Sequence, residues 1–168
     1  MHIDWEQLEA DMARTGAFYA PRLSAHFLAH NFYDGRAIPR VRPAGKRMEC
    51  CAYIAWLKTP HPRYVEIALA YVADDLKGNG VLREIMAELL STTPTGTLPF
   101  LITGNPAMKK VAAGFGFQTE TPSCSHMPRY FAHLVGISDD RLPDSATRKA
   151  PRYVRASERV LMRCFDKQ

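Results

Sequence analysis

Residues 65–90, VEIALAYVADDLKGNGVLREIMAELL, contain three successive patterns that decide the fold. The first eight residues are almost continuously apolar and rich in β-branched and aromatic side chains, which is typical of a central strand buried on both faces. From Val81 onward the apolar residues recur at helical spacing, which predicts an amphipathic helix. Between them, Gly78 and Gly80 predict a tight turn that directs backbone N–H groups toward the helix N-terminus. Such a turn suits a phosphate group.

The spacing of the glycines excludes two common phosphate-binding motifs. The phosphate loop of nucleoside triphosphatases has four residues between its glycines and a following Lys-Ser/Thr, and the dinucleotide fingerprint has a third glycine. Residues 74–83 contain neither pattern. A glycine turn between a strand and a helix is also common in proteins that bind no phosphate, so this turn alone does not establish a binding site.

The length and composition of the chain indicate an ordinary globular protein. Its 168 residues are enough for one domain with a sizeable core. No apolar run approaches the roughly 20 residues that span a bilayer, and the acidic N-terminus lacks the features of a signal peptide, so we expect a cytoplasmic protein without a membrane partner. Four cysteines form no C-x-x-C motif, which favours reduced thiols. His26 and His30 have no accompanying ligand motif, so we expect a structural pair and no metal.

The remaining segments predict further helices and strands. The strand–helix–strand order across residues 65–103 predicts a right-handed crossover whose two strands run parallel or splay apart. Asp4 is a candidate N-cap of the first helix, and Pro21 suits the first turn of the second. Residues 34–47 predict a basic loop or edge strand. The other predicted elements are helices within 4–13 and 16–31, strands at 48–57, 98–103 and 158–165, a helix or strand at 127–137 and a loop at 139–151.

Residues 104–117, GNPAMKKVAAGFGF, place an Asn after a strand, then a short helix, then Gly-Phe eleven and twelve residues after the Asn. This segment resembles the second conserved block of the GNAT superfamily of acyl-CoA-dependent N-acyltransferases. In the first block of that family, a Gln/Arg-x-x-Gly-x-Gly/Ala turn binds the coenzyme A pyrophosphate through backbone N–H groups, and DLKGNG at residues 75–80 resembles it. The resemblance covers residues 64–117.

This resemblance implies an α/β (α+β) fold with a mixed, mainly antiparallel sheet flanked by helices. It implies a single GNAT-like domain over residues 1–168, with the motif-bearing core at about 47–118 and a C-terminal strand at about 158–165. It also implies acetyl-CoA as the co-substrate, with no metal ion.

The resemblance further implies which residues bind acetyl-CoA. Asp75 stands where the family carries Gln or Arg, so we expect its side chain to face away and Lys77 or Arg83 to supply positive charge. Asn105 is expected to contact the cofactor arm, although an N-cap of the following helix explains this residue equally well. The implied binding residues are Val72, Ala73, Lys77, Gly78, Asn79, Gly80, Val81, Leu82 and Asn105.

The candidate general base is Glu66, because a carboxylate within an apolar strand is costly unless it is paired or used, and burial would raise its pKa toward neutrality. Its position, six residues before Val72, resembles that of the glutamate base in histone-acetyltransferase-like members. A Glu paired with Arg63 or Arg47 explains it equally well. At the family's usual general-acid tyrosine this chain has Ala112. The candidate replacements are Tyr71, Tyr130 and Tyr153, unless departure of the thiolate needs no dedicated acid.

Basic residues give the chain a net charge of +5 and gather in residues 36–47 and 141–167. They form a solvated surface, attract the phosphates of coenzyme A or attract nucleic acid, in that order of preference. The predicted function is therefore transfer of an acetyl group from acetyl-CoA to a primary amine of a small molecule or protein, by direct attack in a ternary complex. The alternative is a catalytically impaired GNAT-like module that binds nucleic acid or an acidic protein through its basic face.

Overall fold

The structure, a computed structural model, describes residues 2–15, 24–58, 64–103, 105–120 and 160–164. The chain divides into two compact units. Unit 1 comprises Met1–Leu57 and Ile67–Pro94, and unit 2 comprises Lys58–Glu66 and Thr95–Gln168. Within the described residues the helices are α1 (Trp5–Arg14), α2 (Ala25–Tyr33), α3 (Val81–Thr92) and α4 (Pro106–Gly114). The strands are β1 (Ala37–Ala44), β2 (Arg47–Lys58), β3 (Tyr64–Val72), β4 (Leu98–Thr103), β5 (Phe117–Glu120) and β6 (Val160–Cys164).

In unit 1, β1 and β2 form an antiparallel hairpin that runs from the pair Ala37 and Ala55 to the pair Ala44 and Arg47. Gly45 takes a φ of 62° in the turn, a conformation that glycine adopts without strain. β1 is the edge strand and β2 is hydrogen-bonded to β3. The predicted edge strand at 34–47 and the predicted strand at 48–57 are confirmed.

The core of unit 1 covers β2, whose residues from 50 to 57 are all buried. Tyr53 packs in one cluster with Leu8 and Met12 of α1 and with Leu28 of α2. Its hydroxyl donates to the Leu28 carbonyl at 3.0 Å, which satisfies an otherwise buried polar group. On the opposite face of the strand, Trp56 Nε1 donates to Thr92 Oγ1 of α3 at 3.2 Å. Because helices cover both faces, the continuous apolar run of β2 is buried throughout.

Two of the predicted helices begin at residues whose side chains cap them. Asp4 accepts a hydrogen bond from the Gln7 N–H at 3.1 Å, which confirms its predicted role as the N-cap of α1. α2 begins after Ser24, whose hydroxyl accepts from the Phe27 N–H at 3.1 Å. The prediction that placed Pro21 in a first turn lies outside the described residues.

In unit 2, β3 and β4 run parallel over three residue pairs, from Tyr64 and Leu98 to Glu66 and Phe100. This confirms the parallel pairing predicted for the strand–helix–strand segment. β6 lies between β4 and β5 and is antiparallel to both. The closing strand predicted at 158–165 is therefore present, whereas β5 was not predicted.

The burial of β3 differs from the prediction. Val65, Ile67 and Leu69 are buried, and the intervening residues 64, 66 and 68 are only half-buried. The prediction of a strand buried on both faces was therefore wrong, because only one face of β3 is fully covered. Alanine and the aromatic ring of Tyr64 tolerate the half-covered face, which is why the sequence lacks a clear alternation.

Candidate functional site

The glycine turn follows directly from the end of β3 in unit 1. The Ala73 N–H donates to the Cys51 carbonyl at 2.8 Å, and the Ala73 carbonyl accepts from the Leu76 N–H at 3.0 Å, which closes a 3-10 turn (Asp74–Leu76). Gly78 and Gly80 then adopt φ values of 84° and 82°. The space around both is open to a Cβ. Glycine is therefore required at these positions by backbone conformation and not by lack of room.

The backbone N–H groups of this turn are only partly used. The Asn79 N–H donates to the Leu76 carbonyl at 3.3 Å, and the Gly80 carbonyl accepts from the N–H groups of residues 83 and 84. Within the described part of the chain, four neighbouring N–H groups donate to no acceptor. They belong to Gly78, Gly80, Val81 and Leu82. Unpaired donors at the start of α3, together with the helix dipole, suit an anion.

Lys77, the basic residue next to this turn, already has a carboxylate partner. Its ammonium group forms an ion pair with Asp74, and this pair holds the pKa of the Asp74 carboxyl below its ordinary value. Both side chains are exposed, so the pair is weak and easily exchanged. Among the described residues, Arg83 forms no ion pair. Lys77 and Arg83 thus carry the positive charge on the turn itself.

Asp75, at the position where the resemblance predicts Gln or Arg, is engaged by a residue of β1. Nη1 of Arg42 contacts Asp75 Oδ2. The same guanidinium binds both oxygens of Glu49 on β2, with distances of 3.2 Å from Nε and 2.9 Å from Nη2. The two carboxylates, Glu49 first, raise the pKa of Arg42 above its ordinary value. The sequence gave no signal for this contact, because Arg42 and Asp75 lie 33 residues apart.

Glu66 and Tyr71, the candidate base and acid, belong to different units. Glu66 is a half-buried residue of β3 and stands opposite Phe100 in the ladder of unit 2. Tyr71 lies in unit 1, where it packs against the core cluster that contains Leu69. Burial and then the charge of Glu49 raise the pKa of the Tyr71 phenol, so it stays protonated at neutral pH. Tyr130 and Tyr153 lie outside the described residues.

Leu69 has a backbone conformation that the sequence did not predict. Its φ of 58° lies in the left-handed region, which is uncommon for a leucine and marks a local irregularity in β3. After it the alternation of buried and half-buried residues stops, and residues 70–72 are all half-buried. A buried leucine in a strand is ordinary in sequence, so no signal at this position could have revealed the irregularity.

The sequence matches no protein-family model and no curated protein. Solved structures, however, share its fold. A Mycobacterium tuberculosis protein, Rv2747, solved in complex with CoA, superposes with a TM-score of 0.62 at 16% identity, over 98% of this chain and 96% of that one. Diaminobutyrate acetyltransferase EctA from Paenibacillus lautus, in complex with its substrate and coenzyme A, gives 0.57 at 12% identity, over 95% and 87%. The chain has the GNAT fold.

N-acetylglutamate synthase from Neisseria gonorrhoeae, in complex with coenzyme A and N-acetyl-glutamate, also matches with a TM-score of 0.55 at 14% identity, over 95% of this chain and 31% of that one. At such identities the likeness establishes the GNAT fold alone. The activity has to be argued from the side chains and backbone groups of this chain.

In the second block of the GNAT resemblance, Asn105 is the N-cap of α4. Its Oδ1 accepts from the N–H groups of Ala107 at 2.9 Å and Met108 at 3.4 Å. The N-cap prediction is confirmed, and the predicted contact with the cofactor arm stays a prediction. Ala112 is fully buried within α4. Its methyl group offers no proton, so a general acid has to come from another element.

The arginines of the basic segment 36–47 all have carboxylate partners in the GNAT fold of this chain. Apart from Arg42, these pairs join Arg36 to Asp34, Arg40 to Glu88 and Arg47 to Asp4. The proposed pairing of Arg47 with Glu66 was therefore wrong, because Asp4 lies closer, at 3.0 Å. Residues that are 43 and 48 apart in sequence form two of the pairs. The charge of this segment is largely compensated, which leaves little of it for nucleic acid.

Other parts of the described chain offer less to a ligand. A cavity of about 460 Å³ in unit 1 shares no residue with the glycine turn, and its lining residues are Asp4, Gln7, Ala44, Lys46, Arg47 and Glu49. His26 and His30 stack on the exposed face of α2, with ring centroids 6.3 Å apart. Within the described ranges, no group of three or more His, Cys, Asp or Glu residues is arranged to bind a metal ion. No helix in these ranges is both long and apolar enough to cross a membrane.

Proposed function

We propose that the protein is an N-acyltransferase that moves an acetyl group from acetyl-CoA to a primary amine of a small molecule or a protein. The observation that carries the proposal is the set of four unpaired N–H groups at the glycine turn of a chain with the GNAT fold. Structures that share this fold were solved with coenzyme A. An anionic ligand is what such a turn favours.

In this proposal, the N–H groups of residues 78–82 bind the pyrophosphate of acetyl-CoA, except for that of Asn79, which donates to the Leu76 carbonyl. Lys77 exchanges its exposed partner Asp74 for a phosphate, a change that costs little because a surface ion pair contributes little. Val72 at the end of β3 and Asn105 contact the pantetheine arm. The Ala73 N–H takes no part, because it is bonded to the Cys51 carbonyl.

The reaction is a direct attack of the amine nitrogen on the thioester carbonyl carbon in a ternary complex. A C–N bond forms, the C–S bond breaks and coenzyme A leaves as the thiolate. Glu66 accepts the proton that the amine nitrogen loses, and Tyr71 donates a proton to the thiolate. The raised pKa of Tyr71 supports this role, since it keeps the phenol protonated near neutral pH. Tyr130 is the other candidate donor.

Calorimetric titration with acetyl-CoA tests the proposal. The native protein is expected to bind in the micromolar range, and Gly80→Glu is expected to lose binding because it places a carboxylate among the donors of the turn. Gly96→Glu is the matched control. Gly96 has a φ of 80° and equally open surroundings, so both variants carry the same charge change and a similar backbone strain.

The two variants separate the turn from general effects of charge and strain. Binding by the native protein and by Gly96→Glu, but not by Gly80→Glu, would support the site. If the folded native protein binds no acetyl-CoA at low salt, the proposed function is wrong. An equal loss in the two glycine variants would show that the turn is not the binding site.

A further inference from the structure

We infer that Arg42 of β1 is a positioning residue for the anion site: it acts through Asp75 by holding and neutralising a carboxylate that would otherwise repel the ligand. This inference rests on the proposed function, because it concerns how the same turn accepts a pyrophosphate. It explains how a chain with Asp75 at this position can keep a phosphate-binding turn. The three residues involved, Arg42, Glu49 and Asp75, all belong to unit 1.

The geometry of Arg42 is that of a fixed fork. Nε and Nη2 bind the two oxygens of Glu49 on the neighbouring strand, which fixes the plane of the guanidinium. Nη1 remains and contacts Asp75. Glu49 is the most buried of the three side chains, at 26% exposure, and Asp75 the least, at 57%. Arg42 is therefore anchored on the hairpin side and reaches toward the turn. A lysine could not make both contacts in this way.

The electrostatic argument follows from the position of Asp75 within the turn. Asp75 lies in the 3-10 turn, three residues before Gly78. A carboxylate without a partner at this distance would oppose the charge of a pyrophosphate. Pairing with a guanidinium that stays charged at every relevant pH removes most of that repulsion. The first strand of the chain thereby supplies a charge that the turn itself lacks.

Arg40 provides a matched control within the same strand. It lies two residues before Arg42 and also joins β1 to the segment that follows β3, but its partner is Glu88, at 2.7 Å. Glu88 lies in the third turn of α3, seven residues after its first residue, Val81, and far along the helix from the glycines. Removal of either arginine thus deletes one cation and one exposed ion pair, and only removal of Arg42 uncovers a carboxylate in the turn.

The test is a titration of coenzyme A into four proteins at low salt. Arg42→Met is expected to weaken binding about fivefold, the size of one exposed ion pair. Asp75→Asn added to that variant should restore the native affinity, because it removes the uncovered charge. Arg40→Met should bind like the native protein. A loss that arose from structural damage would not be rescued by Asp75→Asn. Native affinity in Arg42→Met, or no rescue in the double variant, would overturn the inference.

A second readout separates this inference from the proposed function. The same proteins are titrated with inorganic pyrophosphate while the amide NMR signals of Gly78 and Gly80 are followed. The same order of affinities supports the role of Arg42 even if acetyl-CoA does not bind, in which case the proposed function alone would be wrong. Equal pyrophosphate affinity in the native protein and Arg42→Met, or no binding to the native protein, would overturn the inference.

Discussion

At the scale of single residues, side chains that act on their own neighbourhood could be predicted and those that act across the fold could not. Asp4 and Asn105 were predicted as N-caps because a cap needs only a short polar side chain one position before a helix. Arg42 was counted only as part of a basic segment. Its partner depends on where β1 lies relative to the glycine turn, which no local pattern encodes.

Glu66 is the residue on which the proposed chemistry depends most. Replacement of Glu66 by Gln keeps the size and polarity of the side chain but removes the group that accepts the proton of the amine. We expect the rate of acetyl transfer at neutral pH to fall by about 10²- to 10⁴-fold. The apparent affinity for acetyl-CoA should stay unchanged, because Glu66 is not part of the glycine turn. Steady-state kinetics across a range of pH measure both quantities.

The control for this prediction is Glu6→Gln, the same chemical change at an exposed position of α1. It should leave the rate and its pH profile as in the native protein. A Glu66→Gln variant that retains the native rate and pH profile would show that another group is the base. A rise in KM with no change in kcat would instead assign Glu66 to binding.

At the scale of secondary-structure elements, long segments with strong periodicity were predicted well. The apolar run of β3 and the helical spacing of α3 came within a residue or two of the observed bounds, since both signals extend over many residues. β5 was missed. It has only four residues, and its pairing with β6 brings together residues more than 40 positions apart. Such a strand is stabilised by its partner, so its own sequence carries little information.

The N-cap of α1 gives a prediction about stability at this scale. Asp4→Ala removes the acceptor for the Gln7 N–H and should lower the free energy of unfolding by about 1 kcal/mol at pH 7. Hydrogen bonds from Arg47 and from the Gln7 N–H lower the pKa of the Asp4 carboxyl below 3.8. Its contribution is therefore fully present above about pH 3.8 and is lost as the pH falls through the lower, folded-state pKa.

Urea denaturation across a range of pH measures this effect. The difference between the native protein and Asp4→Ala should be constant above about pH 5 and shrink below pH 3.8. Asp4→Asn keeps an oxygen that can cap the helix, so it should recover most of the lost stability and lose the pH dependence. A difference that is the same at all pH values would show that the carboxylate charge contributes nothing.

At the scale of the whole molecule, charge is distributed unevenly between paired and unpaired groups. The chain has 22 Lys and Arg against 17 Asp and Glu, yet the arginines of residues 36–47 are paired with carboxylates. The basic residues of 141–167 lie mostly outside the described ranges. A net charge of +5 still sets the sign of the long-range field that an anionic ligand meets.

This field leads to a prediction about the rate of association. Stopped-flow measurements should show that the association rate constant for coenzyme A falls as salt rises, because ions screen an attraction that extends over about 10 Å at 0.1 M ionic strength. Dephospho-coenzyme A, which carries one phosphate fewer, should show a shallower dependence. The dissociation rate should change less, since the N–H groups that hold the pyrophosphate act at short range. An association rate that is independent of salt would mean that the excess positive charge is ordinary solvated surface.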